Sequence, residues 1–190
     1  MHYFLTDLVT DIVQNGVESG TDLLELFISE AINNDGKKVF EFTVKDRGKG
    51  MTENELKLAQ DPFISDGIKH PWRQVGLGIP FLIQTAENSG GAWKIASQKK
   101  TAGQGATEVN AWFDLGNVDT PPIGDIPGMF RTTLLFEGPK EVIIERRGRV
   151  NYQIRKTDLE QSLGGFKNTR SLLLLNEYLV NAEQTDNDKE

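Results

Sequence analysis

Two runs of alternating apolar residues flanking a tight turn constrain this chain more than any other feature. Residues 23–32, LLELFISEAI, place Leu24, Leu26, Ile28 and Glu30 at every second position. Residues 39–46, VFEFTVKD, do the same with Phe40, Phe42, Val44 and Asp46. Between the runs, Asn34-Asp35-Gly36 is a turn signal. Successive strand side chains point to opposite faces, so the pattern predicts a hairpin with one apolar face. Asp46 shares the parity of the phenylalanines and is delivered at the end of the second strand.

The flanking segments are less regular but readable. Residues 4–18 read as a helix in which Leu5, Leu8, Val9, Ile12 and Val13 form an apolar stripe. Asp7, Asp11 and Asn15 line another face, Gly16 is a weak spot and Gly20 is a terminator. Gly48-Lys49-Gly50 breaks the second strand, and Thr52 with Glu55 forms a capping box for a helix ending at Gln60. Residues 61–75 contain Asp-Pro, Asp-Gly and His-Pro and read as a long loop. Gly76-Leu77-Gly78 opens a helix over 79–90, with Pro80 in its first turn. Residues 92–97 and 106–115 predict a second hairpin. A Pro- and Gly-rich linker or crossing segment follows at 119–128. Residues 132–136, 141–146 and 150–156 read as strands, with a tight turn at Arg147-Gly148-Arg149. Asp158 is expected to cap a short helix, 169–182 to form a last amphipathic helix, and 183–190 to be a disordered tail.

Composition narrows the chemistry. The chain has no cysteine, which removes disulfides, thiolate catalysis and thiolate metal sites. His2 and His70 are too few for a multi-histidine metal site and leave almost no material for a Ser-His-Asp triad. A net charge of −7 argues against a nucleic-acid binder, which wants a basic face. It leaves room for a nucleotide chelated by a metal ion. No apolar run approaches the ~18–20 residues that span a bilayer. The N-terminal MHYFLTD lacks the features of a signal peptide. A cytoplasmic protein without membrane contact is expected.

Three short motifs stand in order: Asp11-x-x-x-Asn15, Asp46-x-Gly48-x-Gly50 and Gly76-x-Gly78. Alone, each has an ordinary reading as a solvated helix face, a strand-ending turn or a packing turn. Together, in this secondary-structure context, they resemble the GHKL ATPase superfamily of gyrase B, the ninety-kilodalton heat-shock chaperone, histidine kinases and mismatch-repair MutL. DIVQNGVESG resembles the N box, DRGKGM the first glycine box, and GLGIPFLIQTAENSGGAWKIAS the second glycine box with its helix. GATEVNAWFDL resembles the closing strand. The resemblance covers about residues 4–116.

The resemblance implies a Bergerat fold. This is an α+β, two-layer α/β sandwich with a mixed, mostly antiparallel sheet and ATP with Mg²⁺ as ligands. Residues 1–118 are expected to form the ATP-binding domain, with a lid at about 52–75, and 119–182 a small α+β extension. Asn15 inherits the Mg²⁺ ligand; an amide oxygen is the hard donor that magnesium takes beside phosphate. Asp46 inherits the acceptor for the adenine amino group, a role an acceptor-only carboxylate suits. Gly48, Gly50 and Met51 line the base, and Gly48 and Gly50 allow close backbone approach. Gly76, Leu77 and Gly78 present amides to the phosphates near a helix start. Thr107 assists Asp46, and Phe63 stands where histidine kinases place a phenylalanine box or is a loop aromatic anchored in the core. Lys69, His70 and Arg73 reach phosphate or solvate the loop.

The chain also departs from the family pattern. Position 11 is Asp where hydrolysing members carry a Glu general base, one methylene longer. Asp11 is therefore a shorter base, or an orienter of water or of a substrate hydroxyl. No phosphoacceptor histidine segment or transducer domain is visible. The layout is similar to that of small stand-alone bacterial anti-sigma-factor-like proteins. The expectation is an ATP·Mg-binding regulatory module whose nucleotide-ordered lid controls a protein partner. The alternatives are a serine/threonine protein kinase of anti-sigma type, a slow ATPase, and a degenerate scaffold that binds nothing. Arg146, Arg147, Arg149, Arg155 and Lys156 form a local basic cluster, read as a solvated hairpin face or as a surface for an acidic partner or a nucleic acid. Partner identity and oligomeric state stay open.

Overall fold

The computed structural model describes residues 4–61, 78–99 and 105–184. In chain order the elements are α1 (Leu5–Glu18), β1 (Leu23–Ile32), β2 (Lys38–Asp46), α2 (Glu53–Gln60), α3 (Gly78–Asn88), β3 (Ala92–Gln98), β4 (Ala106–Asp114), α4 (Ile126–Leu135), β5 (Glu141–Arg147), β6 (Tyr152–Arg155), α5 (Lys156–Leu163) and α6 (Thr169–Glu183). The strands form one sheet in the order β3-β4-β2-β1-β5-β6. Every neighbouring pair is antiparallel except β1 with β5, which is parallel.

The period-two pattern decides which face is covered. Leu24, Leu26, Ile28, Phe40, Phe42 and Val44 are buried at alternate positions, and helices pack over them. Phe113 of β4 lies 6.3 Å from Phe42 and 6.4 Å from Phe40, ring centre to ring centre. Leu8, Ile12 and Val13 of α1, Leu82 and Ala86 of α3, Phe130 of α4 and Leu175 of α6 belong to the same contiguous core. Burying a large apolar side chain is worth about 1.5–3 kcal/mol, so this layer holds the helices to the sheet. This is the expected two-layer α+β sandwich.

A parallel pair needs a crossover, and residues 119–125 with α4 provide it. The crossing segment also closes the start of α1. The amides of Leu5 and Thr6 donate to the carbonyls of Pro122 and Ile123 at 2.9 Å each. Those amides would otherwise be orphans of the first helical turn. The chain after residue 118 thus adds two strands to the sheet and two helices, α4 and α6, to the covering layer.

Two local expectations are corrected. Residues 132–136 are not a strand; all but the last belong to α4. Ile126, Met129, Phe130, Thr133 and Leu134 are the buried positions, a helical spacing. Asp125 caps the helix by accepting from Gly128 N at 2.9 Å. The hydroxyls of Thr132 and Thr133 bond back to the carbonyls of Gly128 and Met129, which lets β-branched residues sit there. Nor does Asp158 cap α5. The helix starts at Lys156, and Asp158 lies in its first turn. The carboxylate of Glu141 on β5 accepts from the amide of Thr157 at 3.2 Å and from its hydroxyl at 2.7 Å.

The basic cluster is dispersed rather than presented as one face. Arg146 is fully buried between Glu183 of α6, at 3.2 Å, and Glu30 of β1. Lys156 is buried and donates to the carbonyls of Phe136 and Pro139 at 3.0 and 3.4 Å. Arg147 pairs with Glu145, and Arg149 donates to the Glu183 carbonyl.

Candidate functional site

The hairpin parity brings Asp46 to the helix-covered side of the sheet, at the mouth between α1 and the strand ends. Its carboxylate is buried. Oδ1 accepts from the Gly48 amide at 2.9 Å and from the Ser19 hydroxyl at 2.8 Å. Oδ2 has no hydrogen-bond partner among the described residues. Burial raises the pKa of this carboxyl, and the bonds from Gly48 and Ser19 pull it partly back. One oxygen is fixed and the other is left to accept from something else.

Across the sheet a polar row continues from Asp46. The register sets Asp46 opposite Thr107, and Thr107 opposite Ser97. The Ser97 and Thr107 hydroxyls lie 2.9 Å apart, and the Ser97 hydroxyl accepts from the Met51 amide at 2.8 Å. The loop after β2 is thereby tied to β3 at Met51. It is tied to the end of α1 as well. Lys49 N donates to the Ser19 carbonyl, and Arg47 N to the Thr21 hydroxyl.

These ties explain the glycines differently from the expectation. A Cβ at Gly48 would stand 1.8 Å from Ser19 Oγ and 2.6 Å from the Ser19 carbonyl oxygen. Gly50 has φ +63°, and a Cβ there would stand 2.1 Å from the Gln98 carbonyl oxygen. The chain's own packing requires both glycines, before any ligand is considered.

On α1, Asp11 and Asn15 are one turn apart and converge on the start of α3. A Cβ at Gly78 would lie 3.4 Å from Asp11 Cβ, 3.5 Å from Asn15 Nδ2 and 3.7 Å from Asp11 Oδ2. The space over Gly78 is therefore a small cradle walled by a carboxylate and an amide. Gly16 lets α1 approach the sheet: a Cβ there would meet Leu24 at 2.9 Å and Asp46 Cβ at 3.5 Å. The first part of the expected lid, α2, begins at the predicted capping box of Thr52 and Glu55. Lys99 bonds to Glu55 at 2.6 Å and, with Thr52, holds that carboxyl down to about 2.

The structure thus brings Asp11, Asn15 and Gly78 together on one side of α1, sets Asp46 against Gly16 in the last turns of the same helix, and ties Gly48, Gly50, Met51 and Thr107 around the end of β2. Phe63, Gly76, Leu77, Lys69, His70, Arg73 and His2 lie outside the described residues, as do residues 62–75 of the expected lid. Sequence reasoning read Gly16 only as a weak spot in α1 and gave Ser19 and Ser97 no role of their own. A signal existed for Ser19, because Asp11, Asn15 and Ser19 are spaced i, i+4, i+8 on one helix face. Ser97 closes the second glycine-box motif, and its contact with Thr107 follows from their pairing in the second hairpin.

A separate hollow of about 880 Å³ lies on the opposite, uncovered face of the sheet. Its floor includes Phe27, Thr43 and Ile143, and Glu25, Lys45 and Glu145 stand around it. Its lining reaches Asp46, Ser97 and Thr107 but not Asp11, Asn15 or Gly78, so it is not the cradle on α1.

Among the described residues no cluster of three or more His, Cys, Asp or Glu could hold a metal by protein ligands alone. Asn15 turns its Nδ2 towards Gly78; with the amide group turned over, its oxygen beside the Asp11 carboxylate would suit a hard cation that takes most of its ligands from phosphate and water. Among the described residues no helix is long and apolar enough to cross a membrane. A family model described as histidine kinase-, DNA gyrase B- and HSP90-like ATPase matches residues 2–117. No curated protein matches this chain as a relative.

Proposed function

The chain belongs to the family of histidine kinase-, DNA gyrase B- and HSP90-like ATPases, and from that premise we propose that it is an ATP·Mg²⁺-binding regulatory module acting on a protein partner. The observation that carries the nucleotide part is the half-satisfied carboxylate of Asp46. Oδ1 is held by Ser19 and Gly48, while Oδ2 has no hydrogen-bond partner among the described residues. A carboxylate is an acceptor only, so the group it awaits is a donor such as the adenine amino group. Thr107 stands beside it on the next strand and supplies a hydroxyl that donates or accepts. Asn15 and Asp11 flank the Gly78 cradle, where a metal-bound triphosphate is to be seated. Asn15 provides the ligand oxygen, and Asp11 orients a water or a hydroxyl. When bound, Mg²⁺ supplies charge neutralisation across the phosphates. The segment 52–75, between the two glycine motifs, is the proposed carrier of nucleotide state to the partner.

The test is calorimetric titration of ATP with Mg²⁺ into the wild type and into Asp46→Asn. The expected result is binding in the wild type, weakened at least about tenfold in the variant, the scale of a lost hydrogen bond to a charged group. Absence of wild-type binding up to millimolar ATP, with the protein folded by circular dichroism, overturns the reading. Chemistry is tested separately. Phosphate release that disappears in Asp11→Ala makes the module an ATPase, and labelled phosphate on a second protein makes it a kinase.

A further inference from the structure

Four of the nine large apolar side chains exposed among the described residues lie on α6: Leu173, Leu174, Tyr178 and Val180. Leu173 is 61% exposed and Leu174 41%. The same helix buries Leu175 and Leu179 in the core, so its inward face is already used. At about 3.6 residues per turn, Arg170, Leu173, Leu174 and Glu177 fall at i, i+3, i+4 and i+7 on one outward stripe. All four are exposed.

The charges on this stripe do not serve the helix itself. Arg170, in the first turn, opposes the helix dipole, and Glu177, in mid-helix, gains nothing from it. The two are about 10 Å apart along the axis, too far to pair with each other. Neither has an ion-pair partner among the described residues. The order cation, leucine, leucine, anion is nevertheless self-complementary when reversed. An antiparallel copy related by a two-fold axis between Leu173 and Leu174 meets Arg170 with Glu177 of the partner subunit, twice. It sets Leu173 against Leu174 of the partner subunit, also twice. A parallel copy would set Arg170 against Arg170 of the partner subunit. Two-fold contacts between identical surfaces are the commonest way soluble chains associate.

We infer that α6 pairs antiparallel with α6 of a second copy of this chain, with Leu173 and Leu174 at the centre and Arg170–Glu177 pairs at both ends. The inference is independent of nucleotide binding. It is tested by sedimentation of the full chain over a concentration series, with circular dichroism confirming that each variant is folded. The expected result is a wild-type dimer whose dissociation constant rises about tenfold or more in Arg170→Glu alone and in Glu177→Arg alone. It returns towards the wild-type value in the double reversal. The chain has no cysteine, so single cysteines report orientation. Under oxidation, a mixture of R170C and E177C chains gives the crossed disulfide, and R170C alone gives none. A wild type that stays monomeric throughout overturns the inference. So does a dimer indifferent to both reversals, or an R170C chain that cross-links to itself.

Discussion

At Asp46 the needs of folding and of binding pull in opposite directions, and the pKa says how. Burial raises this carboxyl above its ordinary value, because the charged form is disfavoured where water is excluded. A group raised in the folded state gives its full contribution to stability below the unfolded value of 3.8. That contribution is lost as pH rises through the folded value. At neutral pH Asp46 is therefore a cost to the fold. Asp46→Asn keeps an oxygen for Ser19 and Gly48 and removes the charge. We expect it to melt within about 2–4 °C of the wild type or above it at pH 7, with the difference shrinking towards acid, while ATP binding falls. A much lower melting temperature at pH 7 would show that the charge holds the loop together. Gly78→Ala separates the same two demands sterically. Its Cβ meets Asp11 and Asn15 at 3.4 and 3.5 Å, which is ordinary contact, so the unfolding free energy from denaturant titration should stay within about 0.5 kcal/mol of the wild type. The methyl group would nevertheless fill the cradle, and titration should show ATP affinity reduced. Equal losses of stability and affinity would mean that the cradle is only a packing gap. Gly78 was picked out by the family resemblance, while the placement of Asp11, Asn15 and Asp46 was legible in the sequence because helix spacing and strand parity fix where their side chains point. Ser97 and Gly16 were not, because what they touch belongs to other strands.

Among the elements, β5 and α6 are joined by a buried network that no local pattern announces. Arg146 reaches Glu183 and Glu30, and the Tyr152 hydroxyl donates to Glu183. Burial, then Glu183, pushes the Tyr152 hydroxyl well above its ordinary pKa, so it stays a donor. Removing one member of a buried charge set leaves another unpaired, at a cost of about 3–5 kcal/mol. Arg146→Ala should therefore lower the unfolding free energy from denaturant titration by that much and raise amide exchange at the C-terminal turns of α6. An effect below about 1 kcal/mol would show that water replaces the arginine freely. In the sequence, Arg146 looked like one of several surface cations, and its burial follows from sharing the parity of Val142 and Ile144 on β5. The same blindness to partners made residues 132–136 read as a strand. The threonines there favour a strand locally, and only the packing of Phe130 and Leu134 into the core overrides them. The capping box of α2, the first hairpin and the span of α1 were legible because their signals are local.

Across the whole molecule, the parallel pairing of β1 with β5 decides how the chain should unfold. Residues after 118 supply β5 and β6 to the sheet that holds Asp46, and Phe130, Leu175 and Leu179 to the core that holds Leu8 and Phe42. Two halves that share a sheet and a core cannot melt independently without opening a parallel ladder and exposing both apolar surfaces. We therefore expect one calorimetric transition, with calorimetric and van't Hoff enthalpies equal. A ligand that binds only the folded state stabilises it by about 2.7 kcal/mol at a hundred times its dissociation constant. For a chain of this size that corresponds to roughly 5–11 °C. ATP with Mg²⁺ should move the whole transition by that amount, including the signal from Tyr152 and Tyr178 in the C-terminal part. Two transitions, of which only the lower or only the upper responds to ATP, would show that residues 119–182 fold as a unit of their own. A change at the nucleotide site would then reach α6 only through the β1–β5 seam, instead of through a core common to both.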